Sequence, residues 1–290
     1  MKKRTIKKFT RFSPRIRSRH PSHGVLRKRG KNFPLGTLPF KCVIRLGSTT
    51  TCPGMDVEIN SIEAVQNSSS KRRMKECFFR DNVKTSNAFL ANGGDWNRGN
   101  LFRNMKTNEN VTMEELPYPI IIKPFNSSRG RGIVLVKDHT EMNDWHTRNI
   151  DRKNNYLFEQ YYNFGREYRI HVTKNGCVYT NRKMLKSDAP EDKKFIRNDS
   201  NCVWYLETKE KFDKPANWND IVNESVKALH AVGLDIGAVD VRTQTKKSSL
   251  DGTVDFVIIE INSAPSLGEG TAIIYKDVLP KLAEQKYNNR

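Results

Sequence analysis

Apolar positions recur along the chain with two different periods, and the switches between them predict the elements. Short apolar or alternating runs mark strands. The first is FKCVIRLGSTTT, apolar-rich from Cys42 to Leu46 before a Gly-Ser-Thr turn, and VKTSNAFL at 83–90 suits a second short strand. YPIIIKPFNSSRGRGIVLVKD reads as strand, glycine-rich turn, strand, a hairpin. NYLFEQYYNFGREYRIHVTKNGCVYTNRKML gives three strands separated by NFG and KNG, and DIGAVDVRTQ and GTVDFVIIEIN give two more. The 3.6-residue period predicts helices in INSIEAVQNSSSKRRMKECFFRDNV, broken at the serines and ending near Asn82, and in HTEMNDWHTRNI. The clearest amphipathic helix is NWNDIVNESVKALHAVGL, with Ile221, Val222, Val226, Leu229 and Val232 on one stripe and Gly233 at its end. TAIIYKDVLPKLAEQ forms a final helix. ANGGDWNRGNLFRN reads as a loop ending in a short helix, and 186–200 as a polar, basic loop. Helices and antiparallel strands mix in an α+β arrangement with no internal repeat.

One strand breaks its own pattern. DFVIIEINSAPSLG is apolar except for Glu260 and Asn262 near its end. Residues two apart on a strand share a face, so these two project together, with Ile259 and Ile261 opposite. Asp240 and Arg242 have the same spacing on the preceding strand. The loop from Thr243 to Thr253 pairs the two strands antiparallel, which places all four polar groups on one face. Oxygen ligands of this kind suit Mg²⁺, which leaves positions to water and phosphate. A solvent-exposed sheet face is the other reading of these four residues. Lys123 ends an apolar strand and is followed by NSSRGRG, where Gly130 and Gly132 let backbone N–H groups approach a ligand closely, an arrangement suited to polyphosphate. A third cluster comprises Glu159, Tyr161, Tyr162, Glu167 and Arg169, with Arg182, Lys183, Arg197 and Asn201 downstream. The tyrosines can wall a base pocket and the cations can converge on a transferred phosphate and an anionic substrate.

Composition adds an asymmetry. Of 51 Lys and Arg residues, 15 lie in residues 1–55, which hold no acid, while 56–290 carry the other 36 against all 32 acids. A flexible basic arm, residues 1–38, is expected; its residues 1–33 can hold nucleic acid or another polyanion electrostatically. The 290 residues suffice for a sizeable core, no apolar run approaches a membrane span, and no membrane partner is expected. Five scattered cysteines, without a CxxC pair, indicate neither a disulfide framework nor a zinc site, and a reducing cytoplasmic setting is expected. The start MKKRTIKKFTRF lacks the apolar region of a signal peptide.

Taken in order, Lys71 in SSSKRRMK, Lys123-Pro124 with SSRGRG, FEQYY, GREYRIHV, GLDIGAVDV and EINSAPSLG resemble the ATP-grasp superfamily, from about Ile62 to the C-terminus. The likeness is to carboxylate–amine ligases such as the ribosomal-protein glutamate ligases and the D-alanine–D-alanine ligases. It implies two α+β subdomains gripping ATP (83–290), preceded by an abbreviated N-terminal α/β segment (39–82). Lys71 and Lys123 look like the phosphate-holding lysines, and the 126–132 loop, with Ser127, Ser128, Gly130 and Gly132, like the lid over them. Glu159, Gln160, Tyr161 and Tyr162 resemble the hinge that meets adenine, and Glu167 the carboxylate that takes the ribose hydroxyls; Lys183 joins the nucleotide-binding set. Asp240, Glu260 and Asn262 look like ligands of two Mg²⁺, for which Mn²⁺ can substitute. Arg169, Arg197, Asn201 and Arg242 fall near the transferred phosphate or acyl group. Lys75 competes with Lys71, Ala238 stands where some relatives place Arg, and SNCVWY replaces a glycine-rich segment. The implied reaction is ATP-dependent joining of a small-molecule or peptide carboxylate to an amine or thiol through an acylphosphate. A kinase of the same fold, and a nucleic-acid-binding protein with a vestigial nucleotide site, are the competing readings.

Overall fold

The computed structural model describes residues 24–28, 33–34, 38–92, 102–125, 127–128, 130–149, 155–198, 200–206, 213–245 and 250–290. Strands β1 (Gly24–Arg27), β2 (Phe33–Pro34), β3 (Cys42–Leu46) and β4 (Val57–Ile59) form one sheet in the order β2-β1-β3-β4, with β1, β3 and β4 parallel. Helices α1 (Ile62–Ser69) and α2 (Lys71–Arg80) follow. Then come β5 (Ala88–Ala91), β6 (Phe102–Asn104), β7 (Asn110–Val111), β8 (Ile120–Pro124), β9 (Val134–Val136), α3 (His139–Arg148) and β10 (Tyr156–Gln160). Their strands make a second, antiparallel sheet in the order β7-β6-β5-β10-β8-β9. The third sheet, β13-β12-β11-β14-β15, holds β11 (Arg166–Thr173), β12 (Gly176–Leu185), β13 (Cys202–Leu206), β14 (Ile236–Thr243) and β15 (Phe256–Asn262). Helices α4 (Trp218–Val232) and α5 (Glu269–Asn288) complete the chain.

Each sheet buries a face. On the third, Tyr168, Ile170, Val172, Val239, Val241, Ile258 and Ile261 pack against α1, α2 and α4, and on the other face His171 and Ile236 meet Tyr275 of α5 while the rest faces the site. Each such side chain taken fully from water contributes roughly 1.5–3 kcal/mol. The second sheet packs Ile120, Ile122 and Phe158 on Met142 and Trp145 of α3. The first packs on Tyr275, Leu279 and Leu282 of α5, so the last helix returns to cover the first strands. Asn60, buried and at φ 58°, ties the first and third sheets: its Oδ1 accepts from Asp235 and Ile236, and its Nδ2 donates to the Arg45 and Ile236 carbonyls. Gly233 caps α4 at φ 79°, as its position in the sequence predicts.

Several expectations need correction. The basic arm does not run intact to residue 38: Gly24–Arg27 is a strand whose Val25 is fully buried, because VL supplies two apolar residues that pair with β3; residues 1–23 lie outside the described part. Ala64, Met74 and Phe78, which precede the division at residue 82, pack with α4 and β11. Phe102–Asn104 is a strand rather than a short helix, pairing with β5; residues 93–101 are not described. The strand expected at 83–90 begins only at Ala88. Cys202–Leu206, which overlaps the SNCVWY departure, is an edge strand that the pattern did not indicate.

Candidate active site

Between the second and third sheets lies a cleft of about 510 Å³. One wall comes from β8, β10 and the glycine turn after β8; the other is the polar face of the third sheet. The 161–165 segment links the walls, and the α1–α2 junction, the end of β1 and residues 263–266 close the far side.

The strand register creates the polar face. Asp240 lies opposite Glu260 and Ala238 opposite Asn262, so Glu260, Asn262 and Asp240 share a face as their spacing predicts. A bulge follows between Asp240 and Val241: Val241 pairs with Ile258, leaving Ile259 unpaired and half-buried in the cleft while Ile258 enters the core. The sequence pattern put Ile259 on the core side; the inserted residue shifts the alternation.

Most carboxylates here are already engaged. Asp240 accepts Arg169 Nε and Nη2, both at 2.7 Å, and Lys183 Nζ at 3.1 Å. Burial alone would raise its carboxyl, but Arg169 and Lys183 hold it well below the usual range. Glu167 accepts Lys183 on Oε1 and Arg242 Nε at 3.1 Å on Oε2, and the same balance lowers its carboxyl. Glu159 takes Lys123 at 2.9 Å, Ser86 at 2.9 Å and Lys75 at 3.4 Å. Burial pushes it up, and Lys123 and Lys75 overcome that to leave it at about 2. Lys75 is fully buried, held also by Thr85 and Ser86 behind the cleft, and burial lowers its ammonium to about 8. Lys71, not Lys75, lines the cleft, its ammonium lowered chiefly by burial and bonded to the Ser127 carbonyl. Glu260 differs from the other acids: its side chain accepts only from Asn262 Nδ2, at 3.1 Å, among the described hydrogen bonds.

Of the remaining predicted residues, Ser127, Ser128, Gly130, Gln160, Tyr161, Tyr162, Arg197 and Arg242 line the cleft. The Gln160 and Tyr161 N–H groups bond inside the protein, to the Asn87 and Pro119 carbonyls. The Arg242 guanidinium lies 5.5 Å from the Tyr161 ring centre, and Arg197 Nη2 donates to the Gly165 carbonyl at 3.0 Å. Three residues are not brought in: Arg182, next to Lys183 on β12, does not line the cleft. Gly132 sits behind the turn against Pro124, and Asn201 turns away, donating to the Lys193 and Ile196 carbonyls to brace its loop; Asn198 takes the cleft-facing place. Sequence reasoning missed Arg27, Lys28 and Trp204. The first two were submerged in a basic run. Trp204 lies on the unforeseen edge strand, with Arg169 4.8 Å and Lys183 5.0 Å from its ring centre.

Among the described residues no three His, Cys, Asp or Glu side chains converge as a metal cage. Glu260 and Asn262 nevertheless fit a hard cation that completes its shell with phosphate and water oxygens, because two adjacent oxygen donors face the cleft without a competing cation bonded to them.

No protein-family model and no curated protein sequence matches the chain. Its fold does match solved structures. A D-alanine–D-alanine ligase from Bacillus anthracis superposes with a TM-score of 0.53 at 12% identity, over 81% of this chain and 70% of that one. The same ligase complexed with ATP gives 0.54 at 14% identity, over 84% and 78%. The ATP-grasp ligase PsnB, complexed with a minimal precursor, gives 0.50 at 13%, over 79% and 66%. With its three sheets, its intervening helices and a cleft between the second and third sheets, the chain has the α+β fold of the ATP-grasp ligases.

Proposed function

We propose that the protein is an ATP- and Mg²⁺-dependent ligase that joins a carboxylate to an amine with release of ADP. The observation that carries this reading is the meeting, in one cleft of this fold, of Lys71 and Lys123 with Glu260, Asn262 and Arg169, contributed from both sides. Lys123, fixed by buried Glu159, and Lys71 beside the glycine turn hold the phosphates; Ser127, Ser128 and Gly130 lie over them. Tyr161 and Tyr162 wall the base.

The substrate carboxylate oxygen attacks the γ-phosphorus, the bond to the β–γ bridging oxygen breaks, and ADP leaves. The amine nitrogen then attacks the acyl carbon of the resulting acylphosphate, inorganic phosphate departs, and the amine proton passes to solvent. Arg169 and Arg242, locked by Asp240 and Glu167, offer fixed positive charge where negative charge develops on the transferred group. Mg²⁺, held by Glu260 and Asn262, would supply charge neutralisation and orientation of the phosphates. Asp240 enters as the anchor of Arg169 and Lys183, and Glu167 as the anchor of Lys183 and Arg242.

The test is ADP release from MgATP with panels of acids and amines, with mass spectrometry of the product. Release that requires both an acid and an amine, with loss of one water from their summed mass, supports the reading. A phosphorylated hydroxyl product, or no nucleotide binding, overturns it.

A further inference from the structure

We propose that Lys75, which lies behind the cleft, is a positioning residue for the nucleotide phosphates: acting through Glu159, it leaves Lys123 with a net charge to offer and holds it aimed into the cleft. This deepens the ligase reading and rests on it for the nucleotide.

Lys71 and Lys75 stand one turn apart on the same side of α2. Lys71, at the start of the helix, reaches the cleft, whereas Lys75 points a turn deeper and is wholly buried. Its Nζ donates to Thr85 Oγ1 at 2.5 Å, to Ser86 Oγ at 2.9 Å and to the Ser86 carbonyl at 3.3 Å, and lies 3.4 Å from Glu159 Oε2. An ammonium enclosed in this way is tolerated only with its partners in place, so it fixes them in turn. The Thr85 hydroxyl passes on to the Ile258 carbonyl at 2.7 Å, and Ile258 N–H returns to the Lys84 carbonyl at 2.8 Å. Ile261 N–H meets Met74 Sδ at 3.3 Å. Lys75 therefore stands where α2, Glu159 of the second sheet and β15 of the third are joined, two residues before Glu260.

Charge gives this junction its consequence. Glu159 Oε2 is also the acceptor for Ser86 Oγ and for Lys123 Nζ, both at 2.9 Å, so two ammonium groups share one carboxylate oxygen. The cluster carries one positive charge in surplus. The Lys75 side chain is 0% exposed, Glu159 4% and Lys123 13%, so a ligand meets that surplus only through Lys123, the member that lines the cleft on the phosphate side. With Lys75 uncharged, Glu159 and Lys123 would make a balanced pair, and the pull of Lys123 on a phosphate oxygen would fall. Burial lowers the Lys75 ammonium to about 8, which leaves it charged at pH 7.

Isothermal titration of the full chain at pH 7, with MgATP and with adenosine, provides the test. Lys75→Met keeps an unbranched side chain and removes the charge; it should bind MgATP at least tenfold more weakly than the parent and adenosine within threefold of it. Equal losses for the two ligands would show a merely structural role and overturn the proposal. Adding Glu159→Gln to Lys75→Met should recover at least threefold of the lost MgATP affinity, because Lys123 then has no carboxylate to balance it. Two structural losses would add instead, so any smaller recovery also overturns the proposal. Should Lys75→Met alone not fold, the double variant, which leaves no buried charge unpaired, decides: it should bind MgATP within threefold of Glu159→Gln, and a larger further loss overturns the role of Lys75. Failure of the parent to bind MgATP removes the ligase reading itself, whereas equal MgATP binding by the parent and Lys75→Met removes the role of Lys75 alone.

Discussion

Replacing Glu159 by Gln should expose how the cleft is held together. The carboxylate is buried, shared between Lys123 at 2.9 Å and Lys75 at 3.4 Å, and titrates at about 2 rather than 4.5. A difference of about 2.5 pKa units at ~1.4 kcal/mol each corresponds to roughly 3 kcal/mol of folding stability. Because the folded value is depressed, that stability is fully present above about pH 5.5 and is lost as the pH falls through 4.5 toward 2. The glutamine keeps the volume and can still accept from Ser86, but it leaves Lys75 buried without its carboxylate. Urea denaturation at pH 6 should show Glu159→Gln about 3 kcal/mol less stable than the parent, and at pH 3 the difference should shrink to roughly 1.5 kcal/mol. Parallel stability curves, with the same difference at both values, would refute the assignment of this stability to an ionised Glu159. Lys123, released from its fixed partner, should also bind ATP more weakly, an effect read by calorimetry on the same samples.

Glu260→Gln should abolish most of the gain in ATP affinity conferred by Mg²⁺, whereas Asp240→Asn should retain that gain and instead lose about 3 kcal/mol of stability, because Arg169 and Lys183 lose their shared partner; calorimetry with and without Mg²⁺, paired with urea melts, separates the two. Gly47→Ala should cost at least about 2 kcal/mol, since the residue sits at φ 77° and the new Cβ would meet Ala264 at 2.4 Å; an unchanged melting temperature contradicts the close approach. Gly130→Ala places a Cβ 2.4 Å from Ile196 Cγ2, so it should displace the glycine turn and weaken ATP binding at least tenfold. Adding Ile196→Ala should restore much of that affinity, and a double variant as weak as the single one argues against the contact.

The parts of the site that were legible in the sequence are those written in local spacing. Glu260 and Asn262 announce themselves because two polar residues, two apart, interrupt an apolar strand. Lys123 does so because a glycine-rich turn follows it at once. What the pattern missed depends on partners distant in sequence. The cleft-facing position of Ile259 follows from a bulge set by pairing with β14, and no period within β15 contains it. Asn201 and Asn198 are chemically equivalent in a string; only the fold of their loop decides which amide braces the Lys193 and Ile196 carbonyls and which lines the cleft. The strand Gly24–Arg27 was hidden because four residues with two apolar centres cannot outweigh a surrounding basic run until β3 supplies the other half of the ladder. Trp204 was read as a departure from a glycine-rich segment, although a large flat ring beside two guanidinium or ammonium groups has its own physical role.

The acids of the cleft explain why so basic a site can remain ordered. Among the described residues eight cations line it, namely Arg27, Lys28, Lys71, Lys123, Arg169, Lys183, Arg197 and Arg242, against four acids. Left to themselves, such like charges would splay into solvent, at an entropic advantage of up to about 2 kcal/mol for each long side chain. Glu159, Glu167 and Asp240 prevent this by each gripping two or three cations with oxygens that are almost wholly buried, so the guanidinium and ammonium groups are aimed before any ligand arrives. Three acids cannot neutralise eight cations, and the surplus is where a polyanionic ligand gains its affinity. Glu260 stands apart because its neighbour is an amide rather than a cation, which leaves it the one carboxylate of the four able to offer oxygen to a divalent ion without first breaking a described ion pair.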